Sequence, residues 1–173
     1  MEPLSAPGEV LIRTAVITCS NRSARGERAD ASGEVLAEAL STAGRTVVFR
    51  SVVADDVEEI RGALRAALAA GADVVVTTGG TGLTPTDVTP EAVAPLLERE
   101  IPGIAETIRA VSREKVPTSV LSRGVCGVIG RSLVLTLPGS PGGVRDGLAV
   151  LLPVLDHLID QLHGGDHRAG GGV

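Results

Sequence analysis

Apolar positions recur along this chain with two alternating periods. Thr14–Thr18 is β-branched and apolar and reads as a buried strand ending at Cys19-Ser20-Asn21. Val35, Leu36, Ala39 and Leu40 then fall at helical spacing within Ser32–Leu40, and Gly44 stops that helix. Thr46–Val53 predicts a second strand. Val57–Ala69 predicts a helix with Ile60, Leu64, Ala67 and Leu68 on one face, Asp56 as its N-cap and Glu59 completing a capping box. The unbroken valines of Asp73–Thr78 suit a central parallel strand covered on both faces. Thr89-Pro90-Glu91 spells an N-cap, a proline at the first helical position and a first-turn acid. Pro95 and Pro102 limit the regularity of the helix begun there, and Gly103–Arg113 reads as another helical stretch. Val125–Ile129 and Leu133–Leu137 flank Gly130-Arg131 as a hairpin whose second strand belongs to the sheet. Ser140 caps a last helix running to about Leu162, which Pro153 is expected to kink or interrupt.

Strands alternating with helices predict an α/β fold, a three-layer sandwich with a mostly parallel sheet and helices on both faces. Its crossovers should be right-handed. Ligands of such sheets sit outside the carboxyl ends of the strands. That rule selects four loops: Ser20-Asn21-Arg22, Asp55-Asp56, Thr78–Asp87 and Pro138–Gly143. One domain is expected over 9–163, with 1–8 and the Gly-rich 164–173 as flexible tails.

Composition narrows the partners. The chain has 173 residues, 43% hydrophobic and 21% charged, values that exclude a disordered chain. It holds one Phe and no Tyr or Trp, so stacking platforms for single-stranded nucleic acid are excluded. Sixteen basic side chains against 21 acidic ones leave a net charge of −5, unsuited to DNA or an anionic membrane. No apolar run approaches the ~20 residues of a membrane span. Cys19 and Cys126 form no disulfide framework and no zinc spacing. A cytoplasmic protein with neither nucleic acid nor membrane as partner is expected.

Three segments could carry chemistry. Thr78-Gly79-Gly80-Thr81-Gly82 directly follows a buried strand, where glycines let the backbone approach an anion; a tight turn alone would use the same residues. Asp55 and Asp87 stand on two loops of the same rim. Each could merely cap or brace its own loop, but beside a phosphate-binding loop the pair suits a bridging cation, Mg²⁺ by its taste for carboxylate, phosphate and water. Pro138-Gly139-Ser140-Pro141 opens into a helix N-terminus, a site for an anion or simply a good cap. Arg22, Arg25 and Arg28 cluster after the first strand, on a solvated loop or near a phosphate. His157 reads as packed or solvated. His163 and His167 are separated by Gly164-Gly165, against a helical metal site. Cys19 reads as a small buried side chain.

In this order the motifs resemble the MoaB/Mog family of molybdenum-cofactor biosynthesis proteins, over about Thr14 to Leu162. They are Ser20-Asn21-Arg22, Asp30 with Ser32-Gly33, Asp55, Thr77–Gly82 leading to Asp87–Glu91, Pro117–Arg123 and Leu137–Pro141. The resemblance implies a molybdopterin-binding α/β fold and adenylyl transfer from ATP to molybdopterin. It implies Asp55 and Asp87 as catalytic acids acting through Mg²⁺, and Gly79–Gly82 as the holder of nucleotide phosphates. Ser122, Arg123 and Pro138–Pro141 would help bind the pterin or its phosphate; Ser20, Asn21, Arg22, Asp30 and Thr78 complete the implied binding set. A homotrimer and hand-over of product to a molybdate-inserting enzyme are implied too. The chain departs from the family pattern in having Thr86, not Arg, before Asp87, and Asn21 where Asp is more common. The alternative is a non-catalytic pterin- or nucleotide-binding relative, a carrier or scaffold.

Overall fold

The computed structural model describes residues 11–165, and its sheet sorts apolar side chains by the two-residue period of a strand. In β1 (Arg13–Cys19), Val16 joins one core while Ala15, Ile17 and Cys19 join another. In β3 (Val74–Thr78), Val74 and Val76 take the first core and Val75 the second. In β6 (Ser132–Leu137), Leu133, Leu135 and Leu137 take the first and Val134 the second. Both faces therefore need cover. Over the first lie α2 (Ala31–Thr42), α5 (Pro102–Ser112) and α6 (Pro141–Leu162); over the second lie α3 (Val57–Ala69) and α4 (Thr89–Val93). The three-layer α/β sandwich expected from the pattern is the architecture observed.

The sheet has six strands in the order β2-β1-β3-β6-β5-β4, with β2 at Thr46–Val53, β4 at Arg99–Glu100 and β5 at Cys126–Ile129. The first four are parallel; β5 runs against them beside β6, and β4 pairs antiparallel with β5 to complete the edge. The chain leaves β1 toward β2 over one face and returns past β1 to β3 over the other. Reversing direction while keeping the crossover hand requires that change of face. The connections after β1 and β3 therefore diverge, and a crevice opens between them at the carboxyl edge.

Strand and helix bounds match the sequence pattern closely, with four differences. Thr89 does not cap α4: Val88 occupies the cap position, and the buried Thr89 hydroxyl donates to Gly79 O at 2.9 Å. Asp56 does cap α3, accepting from Glu58 and Glu59 N–H, but Glu59 reaches back to Ala54 N–H and not to the cap residue. Pro153 does not interrupt α6, which runs unbroken over Pro141–Leu162. Pro153 and Ala149, whose carbonyl loses its helical partner, both face solvent, where water can take that carbonyl. A one-turn helix, α1 (Asn21–Ala24), and the two-residue β4 were not foreseen. Segments 1–10 and 166–173, which include the expected tail 1–8, the first two residues of the expected domain and His167, lie outside the described residues. Among the described residues no helix is long and apolar enough to cross a membrane.

Candidate active site

Four loops at the carboxyl edge build the site. After β1, Ser20 caps α1 by accepting Ser23 N–H at 3.2 Å. That turn aims Asn21 at the loop after β2. Asn21 N–H donates to Asp55 Oδ2 and Asp55 N–H donates to Asn21 Oδ1, both at 2.9 Å. An amide at position 21 makes this exchange without adding a third negative charge. Asp55 Oδ1 is buried and has no partner. Burial pushes the Asp55 pKa above the ordinary carboxylate value, the Asn21 N–H opposes the rise, and the Asp87 charge adds to it. The two acids thus face the same space.

The glycine loop after β3 is packed on three sides. Gly79 and Gly80 have φ of +98° and +66°, the left-handed region that glycine tolerates. A Cβ on Gly79 would strike Cys19 O, and one on Gly80 would strike Thr89 Oγ1 and lie 3.1 Å from Asp55 Oδ1. Among the described residues, no protein acceptor takes the N–H groups of Gly80, Thr81 or Gly82. They are donors in waiting at the floor of the crevice. The loop after β6 lies against this one: Thr78 Oγ1 donates to Pro138 O at 2.8 Å. Ser140 caps α6 by accepting Gly143 N–H at 3.0 Å.

The crevice is divided into two clefts. The first, about 420 Å³, is lined by Ser20, Asn21, Arg22, Asp30, Asp55, Thr78, Gly79, Gly80, Asp87, Gly139 and Pro141. The second, about 630 Å³, is lined by Gly80, Thr81, Gly82, Asp87, Ser122, Pro138, Gly139 and Ser140. Gly80, Asp87 and Gly139 belong to both. Every residue expected at the site except Arg123 therefore lines one cleft or the other.

Two expected binding residues turn out to hold the protein itself. Arg123 lines neither cleft. Its Nε donates to Gly82 O at 2.8 Å, its Nη2 to Asp87 O at 2.9 Å, and its Nη1 pairs with Glu91. It clamps both ends of the loop that carries Asp87. Asp30 lines the first cleft, yet Oδ1 accepts Gly33 N–H at 2.9 Å while Oδ2 accepts from Thr18 Oγ1 and Arg50. Its carboxylate caps α2. Arg25 turns to Glu27, whereas Arg22 and Arg28 line the first cleft. Cys19 and Cys126 are buried, with thiol pKa values pushed up to about 12 by burial. Cys19 packs in the second core, the small buried side chain expected of it.

Sequence reasoning missed Lys115, Arg145 and Asp146 in the second cleft. Lys115 carried a signal, being the chain's only lysine. Asp146 carried none, since its position in the second turn of α6 matters only once α5 packs beside it.

The model "Probable molybdopterin binding domain" matches residues 15–157. The chain is 44% identical over 162 residues to molybdenum cofactor biosynthesis protein B of Bacillus anthracis, covering 91% of this chain and 94% of that protein. It is 42% identical over 149 residues to a molybdopterin adenylyltransferase of Pyrococcus furiosus, covering 83% and 87%. Bifunctional molybdenum cofactor biosynthesis proteins of Chlorobaculum tepidum and Synechococcus elongatus also match, at 36% and 40% identity over 163 and 152 residues, or 94% and 88% of this chain. The chain spans about half the length of these two, 52% and 48%. Among solved structures, the molybdopterin biosynthesis enzyme MoaB of a Thermus species superposes with a TM-score of 0.83 at 44% identity, over 89% of this chain and 98% of that one. Fold, motif order and relatives agree: the chain belongs to the MoaB/Mog family of molybdenum-cofactor biosynthesis proteins.

Proposed function

We propose that this chain adenylylates molybdopterin with ATP. An oxygen of the terminal molybdopterin phosphate attacks the α-phosphorus of ATP. The bond from that phosphorus to the bridging oxygen breaks, and pyrophosphate leaves with the electron pair. The observation that carries the reading is the pair of clefts joined at Gly80, Asp87 and Gly139. A two-substrate phosphoryl-type transfer needs two binding sites whose reacting phosphates meet at one point, and catalysis there is mostly positioning and charge neutralisation.

The chain's own groups divide that work. The free N–H groups of Gly80–Gly82 are placed to receive phosphate oxygens, and the N-terminus of α6 adds its positive end. Arg22 and Arg28 bring cations to the first cleft, which suits the triphosphate. Pro138–Ser140 and Ser122 wall the second, which suits molybdopterin. Asp55 and Asp87 fit a divalent cation: one buried carboxylate oxygen has no donor, and two acids face one space. Among the described residues no three acids, histidines or cysteines form a ready cage. A cation held by Asp55 and Asp87 would take its remaining ligands from phosphate and water, as Mg²⁺ does, and would neutralise phosphate charge.

A homotrimer belongs to the same reading, supported by the exposed Val111, Val116, Val120 and Leu121. Light scattering at micromolar concentration should give three chains; a monomer sinks it. The reading also includes a cytoplasmic location and hand-over of the adenylylated product to a molybdate-inserting enzyme. A second reading, a non-catalytic carrier, is favoured by Thr86 alone, which lines the first cleft where the family pattern often has Arg. Incubation with molybdopterin, ATP and Mg²⁺ separates the two. Stoichiometric pyrophosphate release is expected, and binding without release supports the carrier.

A further inference from the structure

The second cleft ends on charge that adenylyl transfer does not use. Asp146, in the second turn of α6, lines the cleft with its side chain only 14% exposed. Its Oδ1 accepts from Lys115 Nζ at 2.7 Å. No donor among the described residues takes Oδ2. Among the described residues Asp146 and Asp87 are the only acids lining this cleft, and Asp87 lies at the junction with the first. Counting 1.5 Å per residue, Asp146 sits about 9 Å along α6 beyond Ser140, away from that junction.

We propose that Asp146 reads the 2-amino-4-oxo edge of the pterin ring, with Lys115 holding its carboxylate in place. The inference rests on the reading of the second cleft as the molybdopterin cleft. The pyrimidine edge of a pterin presents a ring N–H and an amino N–H side by side. That is the donor pattern of a guanidinium, which a carboxylate accepts through both oxygens. Each carboxylate oxygen has two lone pairs, so Oδ1 can keep Lys115 and accept the pterin as well. The adenine edge offers an amino donor beside an unprotonated ring nitrogen, whose lone pair a carboxylate repels. Asp146 therefore also keeps ATP out of this cleft.

The choice of lysine fits the task. Fifteen of the sixteen basic residues are arginines, and the single lysine is the one placed on Asp146. An arginine there would fork across both oxygens and cover the acceptor edge, whereas an ammonium point charge fixes one oxygen and leaves the other open.

The test uses a 6-hydroxymethylpterin phosphate and its lumazine analogue, in which an oxo group replaces the 2-amino group. Binding is monitored by quenching of the ligands' own fluorescence. Wild type should prefer the pterin by about 10- to 100-fold, the worth of a hydrogen bond to a charged group. Asp146→Asn should lose that preference and raise KM for molybdopterin but not for ATP. Lys115→Arg should weaken pterin binding while leaving lumazine binding unchanged. If wild type binds both rings equally, or neither, the proposal is overturned without recourse to a variant. Normal discrimination by Asp146→Asn overturns it too. Ring discrimination needs no ATP, so a protein that discriminates but releases no pyrophosphate keeps the role of Asp146 and loses the adenylyl-transfer reading. A protein that turns over without discriminating does the reverse.

Discussion

Gly80→Ala tests whether the loop after β3 is a binding element or a turn. At φ +66°, any side chain costs roughly 1–2 kcal/mol in the left-handed region. The new Cβ also runs into Thr89 Oγ1. Thr89 is fully buried and its hydroxyl is tied to Gly79 O, so it can move aside only by breaking that bond. A buried group left without its partner adds about 1–3 kcal/mol. Together these give about 2–5 kcal/mol. For a chain of this size that lowers the melting temperature by about 4–20 °C. Gly130→Ala supplies the control, because Gly130 has φ +60° and its added Cβ meets nothing within 4 Å. It should show the conformational cost alone, about 1–2 kcal/mol, with wild-type ATP affinity. The gap between the two melting temperatures isolates the crowding at Thr89. Crowding at Asp55, 3.1 Å from the new Cβ, should appear as a loss of turnover on the order of a hundredfold, the scale of a misplaced catalytic group. Circular-dichroism melts, ATP calorimetry and pyrophosphate release measure all three. If Gly80→Ala melts with Gly130→Ala and keeps wild-type ATP affinity and turnover, the loop is only a turn.

Asp87→Asn keeps the acceptor for Thr84 N–H and removes the charge, so turnover should fall roughly a hundredfold or more with little change in melting temperature; normal pyrophosphate release would refute the catalytic assignment. Asp55→Asn should lose turnover similarly yet melt higher than wild type at pH 7. The folded state holds the Asp55 proton more tightly than the unfolded state, so ionisation at high pH costs stability. That cost fades as pH falls through the folded-state pKa. The melting-temperature advantage of Asp55→Asn should therefore narrow on acidification, and a constant gap between pH 7 and 4 would contradict it. Arg123→Lys cannot span Gly82 O, Asp87 O and Glu91 at once. It should lower kcat by about tenfold or more while leaving KM for molybdopterin within twofold, since the clamp sets the Asp87 loop and lines neither cleft; an effect on that KM alone would return Arg123 to the binding surface.

The fold was legible because buried strands advertise themselves. The valines of β3 and the β-branched run of β1 have no polar face, so helices had to cover both sides, and the switch-point rule then selected the four loops. What stayed hidden depends on contacts distant in sequence. Thr89 before a proline looks like a cap, but its hydroxyl is claimed by Gly79 O, ten residues earlier. Nothing around Arg123 says which carbonyls the fold will bring to its guanidinium, 36 and 41 residues away. Lys115 and Asp146 are 31 residues apart and meet only because α5 packs on α6. β4 has two residues, too few to show a period.

Why Asp55 and not its neighbours should carry chemistry is clear from the other acids of the same rim. Asp56 caps α3 through one oxygen, and Asp30 has both oxygens taken by Gly33, Thr18 and Arg50. Their surroundings account for them fully as braces. Asp55 is half-buried, satisfied on one oxygen and orphaned on the other, whose burial makes an unpaired charge costly and where Asp87 makes it more so. A brace would do better as Asn or Ser. Beside it, Gly80 holds left-handed backbone and leaves its N–H without an acceptor. Several local costs thus meet at one point, the junction of two clefts, while the sheet and both cores beneath it conform to their patterns. Conflicts of this kind cluster at sites that bind or react, held in place by the structure around them. A cation would resolve the carboxylates and a phosphate the amides, and a nucleotide phosphate chain with its metal brings both at once.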